Sequence, residues 1–475
     1  MIGIYLILAS IIVIALYINH NKVVTFVLLG MFTVLQWVLT LYAYANYQQS
    51  ELGYFTFDAL GILLLGTLSI IAIPAFIHSH IYLEDQPAPP AARSIFYASM
   101  VLLITAISAG YLANHIAVIW IFTELTTLCA SALIYHHRNK LALEGTWKYV
   151  FVCAISITFV FIGILFLSLS LTHGQADDMS FQNLLLNSEH LNSFWLRLAF
   201  LFIFTGFTAK IGLVPMFTAG VDAKDKAPAP AGALLSSALM NLGFIGIFRT
   251  YAVVANTPLK HWAGMVIGIS AILSVFVATV YMLKVKNIKR MLAYSSIEHM
   301  GLVMLAVAAG GVGYYAAILH VILHAFVKSS MFFQFTQLYR VYKNKSIYQT
   351  GNYFKYNTAG AVVLLLGFIS ATAMPPSGLF VSEFLIFKSL FAGGHFMLLA
   401  VVLLLLTIII WAFGKNIFKI LFIPPVGFDE SLVPVISPWE SLSQYLLLAA
   451  AVYIGLNPPT QMISLINDAI QMLPQ

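Results

Sequence analysis

The chain has 475 residues, 61% hydrophobic and only 8% charged, with a formal net charge of +6. A soluble globular chain carries about 25% charged residues, so most of this surface must face lipid. The positive balance is no nucleic-acid signal, because Lys and Arg sit between apolar runs and form no basic stripe with interleaved aromatics. The two cysteines, Cys129 and Cys153, both lie in apolar segments. Four thiolates are the usual ligand set of an iron–sulfur cluster, so neither a cluster nor a disulfide framework is expected. Both cysteines read as small buried hydrophobes. No cofactor motif and no metal-ligand spacing is present. The first apolar run, Ile2 to Tyr17, has no basic residues before it and no small-residue cleavage site after it. It is expected to be a membrane span.

A bilayer core takes about 20 mostly apolar residues in helical form. Fourteen such runs are predicted, near 2–19, 24–44, 55–79, 95–112, 115–135, 149–172, 196–218, 232–254, 262–283, 291–309, 312–337, 359–387, 394–422 and 440–456. Only Ala113 and Asn114 separate the fourth from the fifth. Counted to the helix ends, loops after odd-numbered runs hold seventeen Lys and Arg, and those after even-numbered runs hold four: Arg197, Arg249, Lys260 and Lys388. The positive-inside tendency then puts the odd loops in the cytoplasm and both termini on the outer side. The longest loop, His173 to Phe194, carries Asp177 and Asp178 and is expected on the outer side. No loop can hold a soluble catalytic domain.

Span 7 is interrupted by Gly212 and Pro215, and span 12 by Pro375, Pro376 and Gly378. Proline removes a backbone hydrogen bond, and the freed carbonyls can line a polar cavity. Paired broken helices point to an inverted-repeat transporter. The expected fold is an all-α polytopic membrane protein of about fourteen transmembrane helices, with two inverted five-helix repeats and broken helices 7 and 12. Residues 1–94 would hold spans 1–3, 95–256 the first repeat (spans 4–8), 257–425 the second (spans 9–13), and 426–475 span 14 and a tail. Glu124 on span 5 then matches Glu298 on span 10.

Five ionisable charges fall in or near spans: Lys210, Lys328, Glu124, Glu298 and Glu383. An ionised side chain at mid-bilayer costs about 2.5–3.5 kcal/mol on insertion scales, so these groups must face the bundle interior. His320, His324 and Lys328 are four residues apart and share one helical face. They form a ladder about 12 Å long, the arrangement a proton relay requires. Glu124 and Lys210, each alone among apolar neighbours, are expected to face each other as a switchable pair. Asn241, Glu298, His299 and Lys388 are accessory candidates.

The stretch AKIGLVPMFTAGVDAKDKAPAPAGALLSSALMNLGFIGIFR resembles the seventh and eighth helices of the antiporter-like subunits of respiratory complex I, membrane-bound hydrogenases and multisubunit cation/proton antiporters. LHVILHAFVKSSMFF resembles that family's eleventh helix and MPPSGLFVSEFLIF its broken twelfth. LKVKNIKRMLAYSSIEHMG and PPSGLFVSEFLIF are most similar to the hydrogenase-4 and formate hydrogenlyase branch. The resemblance covers about residues 55–425. It implies a glutamate–lysine pair at Glu124 and Lys210, a central relay at His320, His324 and Lys328, and an outer exit at Glu383. It implies proton transfer driven by redox chemistry in partner subunits, in a prokaryotic cytoplasmic (inner) membrane. The chain departs from the family at three places. Asn241 stands where some members have lysine or histidine, which leaves a gap for water to bridge. Phe217 and Thr218 replace the usual tryptophan. The chain ends soon after span 14, with no long lateral helix.

The function expected is therefore a proton-translocating, antiporter-like subunit of a multisubunit redox complex such as a membrane-bound hydrogenase. Its partners would be other membrane subunits, a peripheral redox module and the lipid bilayer, with no nucleic acid. No cofactor and no catalytic centre would belong to this chain. Three alternatives stay open: a sodium or potassium/proton antiporter subunit, a proton-coupled energising subunit of a non-redox uptake complex such as one for inorganic carbon, and an inert scaffold.

Overall fold

The computed structural model describes residues 1–86, 88–171, 178–425 and 427–474. Every predicted apolar run carries helix. In chain order these are α1 (Ile2–Ile18), α2 (Lys22–Ala45), α3 (Ala59–Asp85), α4 (Pro90–Leu112), α5 (Ile116–Ile134), α6 (Lys140–Ser170), a short α7 (Phe181–Leu186) and α8 (Ser193–Ile211). They continue as α9 (Thr218–Lys226), α10 (Ala229–Ser236), α11 (Ala238–Ala255), α12 (Lys260–Lys284), α13 (Ile288–Ala309), α14 (Val312–Tyr342) and α15 (Tyr353–Tyr356). The last five are α16 (Thr358–Ala371), α17 (Gly378–Ala392), α18 (Phe396–Phe422), α19 (Leu442–Leu456) and α20 (Thr460–Ile470). Polar residues mark many starts: the side chains of Asn21, Asp58, Asn139, Asn192, Asn287 and Ser377 accept first-turn N–H groups, which would otherwise be unpaired.

Among the described residues, eleven helices can cross a bilayer unaided by length and composition; Pro438–Leu456 with Thr460–Ile470 qualifies as a pair bent by 69°. Ile2–Ile18 and Thr358–Ala371 are apolar but shorter. Val23, Phe26 and Met31 of α2, Phe276 of α12 and Trp411 of α18 are exposed, and a surface this apolar is stable only against lipid. The chain is a multi-pass membrane protein. At its centre lies α14, packed by α3, α10, α13, α16, α17 and α19. That encirclement leaves α14 buried nearly throughout its 31 residues.

The structure has both expected breaks and differs from the sequence reading in the long loop and the tail. The run 196–218 ends its first helix at Gly212, where φ is +87°, and resumes as α9 after Pro215. The run 359–387 divides into α16 and α17 around Pro375 and Pro376. Both breaks contain a cis X-Pro bond, Val214–Pro215 and Pro375–Pro376. Residues 172–177 of the long loop, Asp177 included, lie outside the described residues. The rest of that loop is not irregular, because Ser180 caps α7, whose Phe181 and Leu184 are buried. Six residues are too few to show a helical period. The tail forms α20, missed because its polar face lowers its hydropathy; Tyr47 donates to Asp468 on it at 2.9 Å. A small antiparallel hairpin pairs Ser50 with Thr56 and Glu51 with Phe55.

Ion pairs gather the loops that the charge pattern assigns to one end. Glu84 accepts from Lys22 (2.9 Å) and Arg93 (2.5 Å), Asp225 from Lys345 (2.7 Å), Glu440 from Arg340 (2.5 Å) and Glu430 from Lys355 (2.6 Å). Contacts between loops assigned to the other end join Met1 N to Glu51 (2.6 Å) and Arg249 to Asp58 (2.7 Å). Arg249, counted as a loop charge, is only 3% exposed. It also donates to the carbonyls of Ala113 (2.6 Å) and Tyr111 (2.9 Å).

α6 and α8 approach most closely at Gly163 and Gly206, where a Cβ on Gly206 would fall on the Ser156 carbonyl and Val160. Small residues at such crossings let membrane helices pack by van der Waals contact. Gly206→Ala should lower unfolding free energy by about 1–3 kcal/mol, read as an earlier thermal transition of the detergent-solubilised protein. An unchanged transition would place the two helices farther apart than described.

Candidate functional site

Two lysine ammoniums organise the interior. Lys210, in the last turn of α8, is 6% exposed. Its Nζ donates to Thr127 Oγ1 at 2.7 Å and Thr126 Oγ1 at 3.3 Å, with Tyr149 OH at 3.5 Å. Glu124 does not touch it. The Thr127 hydroxyl stands between them and donates to Glu124 Oε2 at 3.3 Å. The expected direct pair is thus a bridged one, because Glu124 sits one turn before Thr127 on α5 and is only half-buried.

Lys328 on α14 is fully buried, and its Nζ donates to Ser295 Oγ at 2.6 Å. Ser295 lies three residues before Glu298 on α13. Lys210 and Lys328 are therefore each held by a hydroxyl three positions from a glutamate on a neighbouring helix. The ladder faces the same α13 surface: the His299 ring lies 5.1 Å from His320 and 5.2 Å from His324. His299 Nδ1 and His320 Nε2 are 3.1 Å apart, and His320 Nδ1 meets Ser382 Oγ at 2.9 Å. Glu383 Oε1 lies 3.7 Å from His299 Nδ1, and Glu298 Oε2 lies 3.8 Å from His299 Nε2. Neither nitrogen of His324 has a hydrogen-bond partner, although the side chain is buried.

Asn241 is buried with both amide atoms unpartnered. Lys388 is exposed on α17 and takes no part in this interior. It was an accessory candidate, and the helix turns it outward.

Sequence reasoning missed Lys224, counted among loop lysines. The break at Pro215 turns α9 back into the bundle, and Lys224 is 3% exposed there. Its Nζ meets only a weak acceptor, Met240 Sδ, at 3.0 Å. Lys210 and Lys224 line one cavity of about 10 Å³, room for about one water. Lys224 is also within electrostatic reach of Lys328 and His324. Lys289, likewise counted as a loop charge, is buried and donates to the carbonyls of Asp225 and Ala227. A usable signal was present: AGVDAKDKAPAPAGALL carries its charges among small residues, the composition of close-packed membrane interiors.

Cavities meet the two ends of this array. One of about 290 Å³ is lined by Asp85, His137, Asp225, Lys226, Lys289 and Lys345 at the basic end. Another, of about 190 Å³, is lined by Thr372, Phe380, Glu383, Phe384 and Thr407.

A multi-pass helical bundle with a buried series of lysine, imidazole and carboxylate groups defines a class of ion-transfer membrane subunits. Residues 113–409 match the family described as NADH:quinone oxidoreductase/Mrp antiporter, transmembrane, and the chain belongs to that family. It is 28% identical over 442 residues to the hydrogenase-4 component F homolog of Methylacidiphilum infernorum, covering 88% of this chain and 91% of that one. It is 26% identical over 353 residues to hydrogenase-4 component B of Escherichia coli, covering 70% of this chain but only half of that protein's length. Its fold is that of a chain in the Mrp complex from Dietzia sp. DQ12-45-1b, with a TM-score of 0.84, 15% identity, and coverage of 99% and 96%. The resemblance carried by the motifs of spans 7, 8, 11 and 12 is borne out.

Thr127→Val keeps the side-chain shape and removes the hydroxyl between Lys210 and Glu124. A hydrogen bond to a charged group contributes about 1.5–3 kcal/mol. The unfolding free energy should fall by about that amount, and Thr127→Ser should recover most of it. Equal stability of the valine variant and wild type would show that Lys210 finds its partner elsewhere.

Proposed function

We propose that this chain is a proton-translocating, antiporter-like membrane subunit of a multisubunit redox complex of the hydrogenase or formate hydrogenlyase type. One observation carries the proposal: buried titratable groups run almost without interruption from the cavity at the basic end to the cavity at Glu383. The hydrogenase-4 relatives supply the kind of complex. Other membrane subunits and a peripheral redox module would drive the transfer, and the bilayer of a prokaryotic inner membrane would hold it.

The fold would be completed as fourteen spans. The shorter α1, the divided runs α8/α9 and α16/α17, and the bent α19 with α20 each count as one crossing. The matching breaks at Pro215 and Pro376 support two inverted repeats, 95–256 and 257–425, flanked by 1–94 and 426–475. The basic end would face the cytoplasm, as the Lys and Arg distribution favours, and both termini the outside.

Roles follow from position. A proton arriving through the basic-end cavity reaches Lys224 and Lys210. Glu124, acting through Thr127, biases whether Lys210 holds its charge. Lys328, His324, His320 and His299 carry the proton across the middle, with Glu298 beside Lys328, and Glu383 releases it into the second cavity. Lys224 stands beside the gap expected at Asn241, which leaves the amide a subsidiary, water-binding part. Protons fit this array better than sodium or potassium, because hard cations require several oxygen ligands and this interior is rich in nitrogen donors.

The test is proton flux in proteoliposomes containing the intact complex. Lys328→Met should abolish coupled transport without changing the amount of assembled complex; undiminished transport would refute the relay. Lys224→Met should slow flux at least tenfold, and Lys224→His should restore part of it. If Lys224→Met runs at the wild-type rate, water alone crosses that gap.

A further inference from the structure

His299, His320 and Glu383 come from three helices, α13, α14 and α17, and their ligand atoms lie within 4.8 Å of one another with all three side chains buried. We propose that they form a binding site for a divalent transition-metal ion of the zinc class, and that the bound ion blocks proton transfer.

Two of the three donor separations match a tetrahedral site, and the third is within 4.8 Å. Zinc–nitrogen bonds of about 2.0–2.1 Å and zinc–oxygen bonds of about 2.0–2.2 Å put neighbouring donors about 3.3–3.4 Å apart in a tetrahedral site. The observed separations are 3.1 Å for His299 Nδ1 to His320 Nε2 and 3.7 Å for His299 Nδ1 to Glu383 Oε1. Both lie within a few tenths of an ångström of that figure. Two imidazoles and one carboxylate are a ligand set that zinc takes when a fourth position stays open to water.

Hydrogen bonding supplies an independent reason. Ser382 Oγ donates to the Leu379 carbonyl at 3.0 Å, so it accepts from His320 Nδ1–H at 2.9 Å. The lone pair of His320 is then on Nε2, aimed at His299. If His299 carries its proton on Nδ1, its Nε2 lone pair faces Glu298 Oε2, and both atoms are without a partner. If it carries the proton on Nε2, two lone pairs face each other at 3.1 Å. The first tautomer satisfies the His299–His320 contact but leaves Nε2 unpartnered, and the second leaves the contact itself unmade. A cation between the rings resolves the conflict, with His299 Nε2–H directed at the Glu298 carboxylate 3.8 Å away. A carboxylate behind a ligating histidine is the usual outer-shell support of such sites. Glu383 lines the cavity of about 190 Å³, which gives an ion its path in. Once bound, the ion occupies the lone pairs that would otherwise pass the proton.

The test uses the full-length chain in detergent, stripped with chelator and titrated with cobalt(II), then zinc(II). One cobalt per chain is expected, with the visible absorption of a low-coordinate nitrogen/oxygen site, displaced by one equivalent of zinc. His320→Gln and Glu383→Gln should each weaken binding more than tenfold, and Ser382→Ala about tenfold. Lys148→Gln, on the exposed face of α6 and outside both the site and the relay, should leave affinity unchanged and serves as the folding control. Absence of stoichiometric binding, or binding that survives both His320→Gln and Glu383→Gln, overturns the site. In the reconstituted complex zinc should slow flux at least tenfold, reversibly with chelator; zinc-saturated protein that conducts at the full rate overturns the block. The block rests on the relay proposed above, whereas binding does not. Cobalt binding in protein that shows no flux even without metal would reject the relay and support the site.

Discussion

The cost of taking an ammonium ion out of water governs this interior. Coulomb attraction seldom repays that cost when a carboxylate is buried beside the charge, and here hydroxyls contact the two ammoniums instead. Thr127 and Ser295 contact the lysines, while Glu124 and Glu298 stand further along the same helices. A direct buried ion pair would lock both charges in place. A hydroxyl can accept from an ammonium or donate to an amine, so the lysine can change charge without leaving a neighbour unpaired. That requires the surroundings to be polar yet closed to lipid, which explains why α14 is encircled and why the helices beside it carry Ser, Thr and Asn on faces turned away from the bilayer.

The proline breaks serve the same constraint from the backbone side. A continuous helix through residue 215 would carry Lys224 out toward the loops, as the charge count assumed. The break lets α9 fold back, and Lys224 enters the interior. Beyond Pro376, α17 brings Ser382 and Glu383 against the His320–His299 pair. In both halves the segment after the break delivers the polar group that completes the array. The breaks are thus part of how the site is assembled, and the free carbonyls beside them are tolerated because they lie within protein.

The helices were legible in the sequence because a bilayer imposes a long, uniform apolar period that few loops imitate. His320, His324 and Lys328 were legible for a related reason: charge inside such a run is costly enough to need a partner, and a four-residue spacing fixes a shared face. Lys224 was hidden because it lies where the apolar period fails, and only the small residues around it set the re-entering segment apart from a loop. Thr127, Ser295 and Ser382 were hidden by their ordinariness, since hydroxyls in membrane helices more often bond their own backbone four residues back. α20 escaped because its polar face diluted its hydropathy. Lys388 misled in the opposite direction, as its closeness to Glu383 along the chain says nothing about which side of α17 it occupies.

Space within the array bears on what can move through it. The cavity between Lys210 and Lys224, at about 10 Å³, takes about one water, and a cation that keeps its hydration shell needs several. A bare sodium ion would need oxygen ligands to replace that shell, whereas Lys224 offers an ammonium and Met240 a thioether. A proton needs neither space nor a cage, only a donor and an acceptor within reach at each step. The wide cavities lie beside Lys289 at one end and Glu383 at the other. In the proposed relay, the narrow middle, filled by side chains that can each hold and release a proton, would give the passage its selectivity through size and ligand chemistry together.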